Sequence, residues 1–259
     1  MNIAVCIKQV PDTAEIKWTE NNTIDRNGLE SIINPFDTYA IETALQLKDK
    51  YKDIKVSAVT MGPPQAEEVI RKAISYGVDD GFILTDKKFS GADTIATGRT
   101  LASGISKILN NPELIVCGQF ATDGDTAQTG PTISTNLNYA LATYVKEILN
   151  IEDSYITVKK EVEYGIETLK IKLPAVICML KCDYEPRRPL INGFIKSQNV
   201  TIPHYTITDI GLNAEQVGIK GSPTYVSKAF RPENKRCGEI VESLSIQESV
   251  HKILEALNE

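Results

Sequence analysis

Apolar positions along the first 140 residues switch repeatedly between two spacings. Residues 3–7 form a continuous apolar run, as expected of a strand covered on both faces. Asn34-Pro35-Phe36-Asp37 then opens a helix: Pro35 sits near its start, Asp37 is placed to cap, and Ala40, Ile41, Ala44 and Leu45 recur at helical spacing. Residues 56–60 read as the next strand, ended by Met61-Gly62-Pro63-Pro64. Ala66, Val69, Ile70, Ala73 and Ile74 fall on one helical stripe that Gly77 terminates. Residues 81–84 predict a short strand, 94–109 a helix, and 114–117 another buried strand. A loop rich in Gly and Asp follows, with a helix from about Thr129. Strands alternating with helices of this length predict βαβ units and a parallel sheet.

The second half changes period. Ile156, Val158 and Val162 alternate with polar residues, Tyr164-Gly165 turns the chain, and Leu169, Ile171 and Leu173 alternate again. That pattern predicts an antiparallel hairpin on the edge of the same sheet. Residues 175–180 return as a last buried strand. From Lys181 onward the periodicity breaks up around Pro186, Pro189, Pro203 and Pro223. Such a segment has no core of its own and is expected to lie across another surface, on this chain or a partner.

Composition narrows the function classes. The chain has 259 residues, 42% hydrophobic and 24% charged, which is ordinary for a globular protein. A net charge of -6 argues against nucleic acid as a main partner, with Arg187-Arg188 the one obvious basic pair. No apolar stretch is long enough to cross a membrane or to serve as a signal peptide. Of five scattered cysteines, Cys6, Cys117 and Cys178 sit in strand-like runs as small hydrophobes, so a cytoplasmic protein is expected. Cys178 and Cys182 alone are close, a weak metal signal, and two histidines make a His-based metal site or triad improbable. No metal and no catalytic nucleophile with its base are expected.

The strongest chemical signal is Asp123-Gly124-Asp125-Thr126-Ala127-Gln128-Thr129-Gly130-Pro131, between a strand and a helix. In open α/β sheets ligands bind at such strand ends, and a helix N-terminus offers unpaired N–H groups to an anion. Thr126, Gln128, Thr129 and Ser134 add neutral hydrogen-bond donors. A plain turn that caps the helix, with Thr126 or Thr129 as the cap, explains the same residues. The two aspartates oppose a phosphate unless they point away or bind other groups. The loop is neither G-x-G-x-x-G nor a Walker sequence, which disfavours a Rossmann dehydrogenase or P-loop ATPase.

Four segments together make the chain recognisable. Cys6-Ile7-Lys8-Gln9-Val10-Pro11-Asp12, Asn34-Pro35-Phe36-Asp37, Met61-Gly62-Pro63-Pro64-Gln65 and the 123–131 loop closely resemble the beta subunit of electron transfer flavoproteins. The likeness continues through Leu173-Pro174-Ala175, Glu185-Pro186-Arg187 and residues 218–223. It implies an α/β fold: a parallel-sheet, adenine nucleotide alpha-hydrolase-like domain with an antiparallel edge hairpin and an extended C-terminal arm. It further implies a nucleotide-binding domain over 1–181. Residues 182–259 would form a docking loop and an arm wrapping an alpha subunit that carries its own FAD.

The loop and Gly91-Ala92-Asp93-Thr94 are similar to the electron-bifurcating type, in which the beta subunit holds a second FAD and meets NAD. Ordinary members bind AMP there instead. By that resemblance NADH would reduce the FAD of this subunit. One electron would pass to the alpha-subunit FAD and a flavin-dependent dehydrogenase of acyl-CoA or 2-hydroxy acid type, and the other to ferredoxin. Cys6, Asn34, Phe36, Asp37, Met61, Thr94, Thr97, Asp123 through Pro131, Thr132 and Ser134 would line the nucleotide site. Arg187, with Leu190 or Ile191 as the apolar anchor, would dock the dehydrogenase. There the sequence departs from the usual family pattern, which leaves the dehydrogenase open. From another class, a nucleotide-binding regulator without redox role would be a homodimer.

Overall fold

The structure is a computed structural model that describes residues 1–12, 17–18, 24–25, 31–225, 227 and 245–258; Cys237 and parts of the expected arm lie outside them. β1 (Asn2–Cys6) is followed by β2 (Gln9–Pro11), β3 (Lys17–Trp18), β4 (Ile24–Asp25) and β5 (Ser31–Ile33). These short strands pair antiparallel, β2 with β5 and β3 with β4. Then come α1 (Pro35–Lys50), β6 (Lys55–Met61), α2 (Glu67–Tyr76), β7 (Asp80–Leu84), α3 (Thr94–Leu109), β8 (Leu114–Gly118) and α4 (Thr129–Leu137). Beyond them lie β9 (Ala140–Glu152), β10 (Tyr155–Val162), β11 (Gly165–Lys172), β12 (Ala175–Met179), α5 (Ile191–Asn199), β13 (His204–Tyr205) and α6 (Ile246–Asn258).

Nine strands make one sheet in the order β11-β10-β9-β12-β8-β1-β6-β7-β13. Every pair from β9 to β13 across it is parallel, and β10 and β11 add the antiparallel hairpin read from the alternation at 156–173. The fold expected from the sequence is therefore present. α1 and α2 cover one face, and α3 and α4 the other, each with its own apolar core. From β1 the chain steps to β6 and β7, then returns to the opposite side of β1 to form β8. That reversal opens a crevice between the ends of β1 and β8, the place where such sheets bind ligands.

β9 is a 13-residue strand that simple alternation does not reveal. A bulge at Tyr144, whose φ is 57°, resets its faces, so Ala142 and Val145 both enter the core although three residues apart. The Tyr144 N–H donates to Gln119 Oε1 at 2.6 Å, tying the bulge to the loop after β8.

Much of the segment after 181 packs on this chain. α5 lies against α2, where Arg71 donates to the carbonyls of Ser197 and Val200. Ile202, Ile207, Ile210 and Val217 are buried in the two cores. Arg187 is held on α1: its guanidinium forks onto buried Glu42 (2.8 and 3.1 Å) and reaches Asp49 (2.8 Å), while its N–H also donates to Glu42. Hydrogen bonds to Glu42 and Asp49 keep that guanidinium protonated well above its ordinary range, against the cost of burial. Arg187→Ala would leave the Glu42 charge buried and unpaired, and is expected to cost about 2–3 kcal/mol of stability in denaturant unfolding. A loss below about 0.5 kcal/mol would show that the pair is dispensable.

Candidate functional site

A cleft of about 740 Å³ lies over the crevice between β1 and β8. Its volume falls in the upper half of the usual range for small-molecule sites, about 300–1,000 Å³. Cys6 and Cys117, register partners on β1 and β8, form part of its floor, and Cys178 continues the row on β12. A hydrogen bond with Cys6, burial and the nearby Asp37 charge push the Cys117 thiol well up; burial does the same to Cys178. Cys117 and Cys178 thus stay protonated thiols.

Asp37 joins three elements beneath the cleft. It sits in the first turn of α1, whose N-cap is Asn34, so it does not cap the helix as the sequence suggested. Instead its carboxylate accepts from the N–H groups of Lys8 (2.7 Å), two residues past β1, and Gly118 (3.2 Å), the last residue of β8. A Cβ on residue 118 would collide with Asp37 Oδ1, so glycine is required there for this approach. Burial pushes the Asp37 carboxyl up to about 7, against hydrogen bonds from Asn34, Lys8 and Gly118. Asn34 shapes the next loop: its amide donates to the Phe120 carbonyl (2.7 Å) and accepts from the Thr122 N–H (3.2 Å).

The loop after β8 turns on Ala121, whose carbonyl accepts from Gly124 and Asp125. Asp125 and Ala127 take left-handed backbone angles, φ 48° and 55°. Gly124 does not, and a Cβ added to it would meet nothing within 4 Å. Neither strain nor packing asks for glycine at 124. Gln128 occupies the N-cap of α4 and no side chain caps the helix, so the capping role proposed for Thr126 or Thr129 is not taken up. Thr129 and Gly130, in the first turn of α4 where backbone N–H groups lack intrahelical partners, line the cleft, and Pro131 has no N–H to satisfy. α3, by contrast, is capped by Asp93, which accepts from Ile95 and Ala96. At the cleft, α4 therefore starts without a side-chain cap, as α1 does at Asn34, whereas α3 does not.

Of the residues expected at the site, Cys6, Asn34, Asp37, Met61, Thr94, Thr97, Asp123, Gly124, Thr126, Ala127, Gln128, Thr129 and Gly130 line this one cleft. Phe36, Asp125, Pro131, Thr132 and Ser134 are not part of that lining. The Phe36 ring meets Phe120 edge-on at 5.4 Å. Thr132 donates to the Gln128 carbonyl and faces Gly98 of α3, while Ser134 donates to the Tyr139 carbonyl. Arg187 lies on α1, away from the cleft, whereas Leu190 and Ile191 project into solvent at 71% and 80% exposure.

Lys8, Asp93, Thr224 and Tyr225 were not anticipated as site residues. Lys8 Nζ pairs with Asp123 at 2.7 Å, which neutralises one of the two aspartates that opposed a phosphate; the other, Asp125, is outside the lining. Lys8 lies within the quoted motif at residues 6–12 and could have been found there. Thr224 donates its N–H and hydroxyl to Asp93 Oδ2 (3.1 and 2.8 Å), and Ser222 Oγ accepts from the Asp93 N–H. Burial opposes the charge, but donors from Ala96, Thr224 and Ile95 outweigh it and hold the Asp93 carboxyl below its usual range. This latch brings Thr224 and Tyr225 to the cleft wall from 131 residues away in the chain, and no local signal marks them. Among the described residues no group of His, Cys, Asp and Glu is placed to hold a metal, and no helix is long and apolar enough to cross a membrane.

The sequence profile described as Electron transfer flavoprotein domain matches residues 21–203. The chain is 40% identical over 265 residues to the electron transfer flavoprotein subunit beta of Megasphaera elsdenii, covering 99% of this chain and 98% of that one. It is 39% identical over 260 residues to the caffeyl-CoA reductase-Etf complex subunit CarD of Acetobacterium woodii, covering 100% and 98%. It is also 41% identical over 251 residues to the protein FixA of Azotobacter vinelandii, covering 94% and 89%. With the crevice, the uncapped α4 and a match of this length, the chain belongs to the electron transfer flavoprotein family, as a beta subunit.

Proposed function

We propose that this beta subunit is of the electron-bifurcating type: it holds FAD in the cleft, draws two electrons from NADH, and parts them. One goes to the FAD of the alpha subunit and on to a flavin dehydrogenase; the other goes to ferredoxin. The observation that carries this reading is Gly124, which faces open space in the cleft and has no structural reason to be glycine. Room for a ligand larger than a mononucleotide explains it. The similarity to CarD, a subunit of a caffeyl-CoA reductase-Etf complex, supports the same reading.

Thr129 and Gly130 at the start of α4 would receive the phosphates, with Thr126 and Gln128 adding donors. Cys6, Met61, Thr94 and Thr97 would line the remainder. Bound there, the flavin supplies the one- and two-electron chemistry, and the chain orients it and excludes water. The parts of the segment beyond 181 that do not pack on this chain would serve docking: Leu190 and Ile191 offer an exposed apolar anchor for the dehydrogenase. α6 carries Ile246, Val250, Ile253, Leu254 and Leu257 exposed at helical spacing, as a helix that wraps an alpha subunit would. The assembly works in the cytoplasm.

The test is the nucleotide content of the purified heterodimer, read by mass spectrometry, with absorbance before and after NADH. Two FAD per heterodimer and bleaching by NADH are expected. One FAD plus one AMP, with no reduction by NADH, would replace this reading with that of a carrier whose beta subunit binds AMP structurally.

A further inference from the structure

We propose that Lys8 is the cation that meets the ligand's phosphate in the cleft, and that Asp123 holds its ammonium in position until the phosphate takes over. The inference rests on the reading of the cleft as a nucleotide site and assigns the charge that site needs.

Among the described residues lining the cleft, Lys8 is the only lysine or arginine, against three aspartates, Asp37, Asp93 and Asp123. Two of the three are spoken for. Asp37 faces the Lys8 and Gly118 N–H groups, and Asp93 is held by the start of α3 and by Thr224. Asp123 alone presents its carboxylate to a cation, at 2.7 Å from Lys8 Nζ. Without that cation a phosphate approaching α4 would meet carboxylates and no positive side chain.

Lys8 is also built to make the exchange. Its backbone is fixed at both ends, the N–H on Asp37 and the carbonyl accepting from the Asn34 N–H at 2.9 Å. Its side chain is half exposed, and its flexible stem carries three rotatable donors. The ion pair spans the crevice from the end of β1 to the loop after β8, the loop that leads into the uncapped start of α4. A phosphate carries more charge and more acceptor oxygens than the Asp123 carboxylate, so the ammonium gains by transferring to it. Asp123 would then act as a holder that keeps the cation over the crevice while the site is empty.

The test uses the full heterodimer freed of beta-site nucleotide and titrated calorimetrically with AMP, with FAD and with adenosine. Wild type is expected to bind AMP more tightly than adenosine. In Lys8→Met the preference for AMP over adenosine should shrink about tenfold, the scale of one hydrogen bond to a charged group, with adenosine affinity unchanged. FAD should weaken in parallel, and Lys8→Arg should restore most of the loss. Asp123→Asn breaks the same ion pair but should keep or raise the AMP preference, which separates phosphate binding from a merely structural pairing. An unchanged AMP-to-adenosine ratio in Lys8→Met, or equal losses in both variants, would overturn the role of Lys8. If wild type binds none of the three ligands, the nucleotide reading of the cleft falls, and this inference with it.

Discussion

Replacing Asp37 by alanine is expected to lower the stability of the subunit by about 2–5 kcal/mol, a large part of a typical domain's total. The side chain is buried and accepts from Lys8 N–H and Gly118 N–H, so alanine leaves two donors of the crevice without partners. The same carboxyl makes stability depend on pH. Burial raises it from 3.8 to about 7 in the folded chain, so between about 4 and about 7 the folded state holds a proton that the unfolded chain has released. Stability is therefore highest below about 4, falls as the pH rises through that window, and levels above about 7; this one group accounts for about 4 kcal/mol. Asp37→Asn keeps the shape without the charge. Its stability relative to wild type, measured by denaturant unfolding of the complex, should rise between about pH 4.5 and about pH 8. A flat difference across that range would show that Asp37 stays ionised throughout.

Gly124→Leu is expected to weaken FAD retention at the beta site by tenfold or more, equivalent to at least about 1.4 kcal/mol. The structure makes this a clean experiment. The Gly124 backbone is not left-handed, and a Cβ there touches nothing within 4 Å, so the leucine variant is expected to fold. What the leucine fills is cleft. FAD released per heterodimer should fall while the unfolding midpoint of the ligand-free complex stays unchanged, and Gly124→Ala should lie between the two. Full FAD content in the leucine variant would show that the loop does not select the ligand.

The distinction between these two positions shows how far the sequence could be read. Gly124 stands out in sequence because glycine beside aspartate in a strand-to-helix loop is a short-range signal. Its meaning came from space: the glycine test separates it from Gly118, which must be glycine to admit Asp37. Asp37 was visible from spacing as a residue near a helix start, where capping is its common duty, and from resemblance as a lining residue of the nucleotide site. Its actual contacts, with Lys8 and Gly118, lie 29 and 81 residues away. Tyr144 hid β9 for a related reason, since one bulged residue cancels the alternation by which a strand is recognised.

The sequence by itself determined the alternation of buried strands and helices, the edge hairpin, the family and the loop at 123–131. Each of these rests on periodicity or on short contiguous motifs, which survive without knowledge of neighbours. The tertiary structure alone decided which side of β1 receives β8, and therefore where the crevice opens. It also decided that α4 starts uncapped while α3 does not, that Lys8 neutralises Asp123, and that Thr224 and Tyr225 join the wall. These are pairings between groups far apart in the chain. Hydrogen bonds and charges act over a few ångströms, and only folding brings such groups within reach.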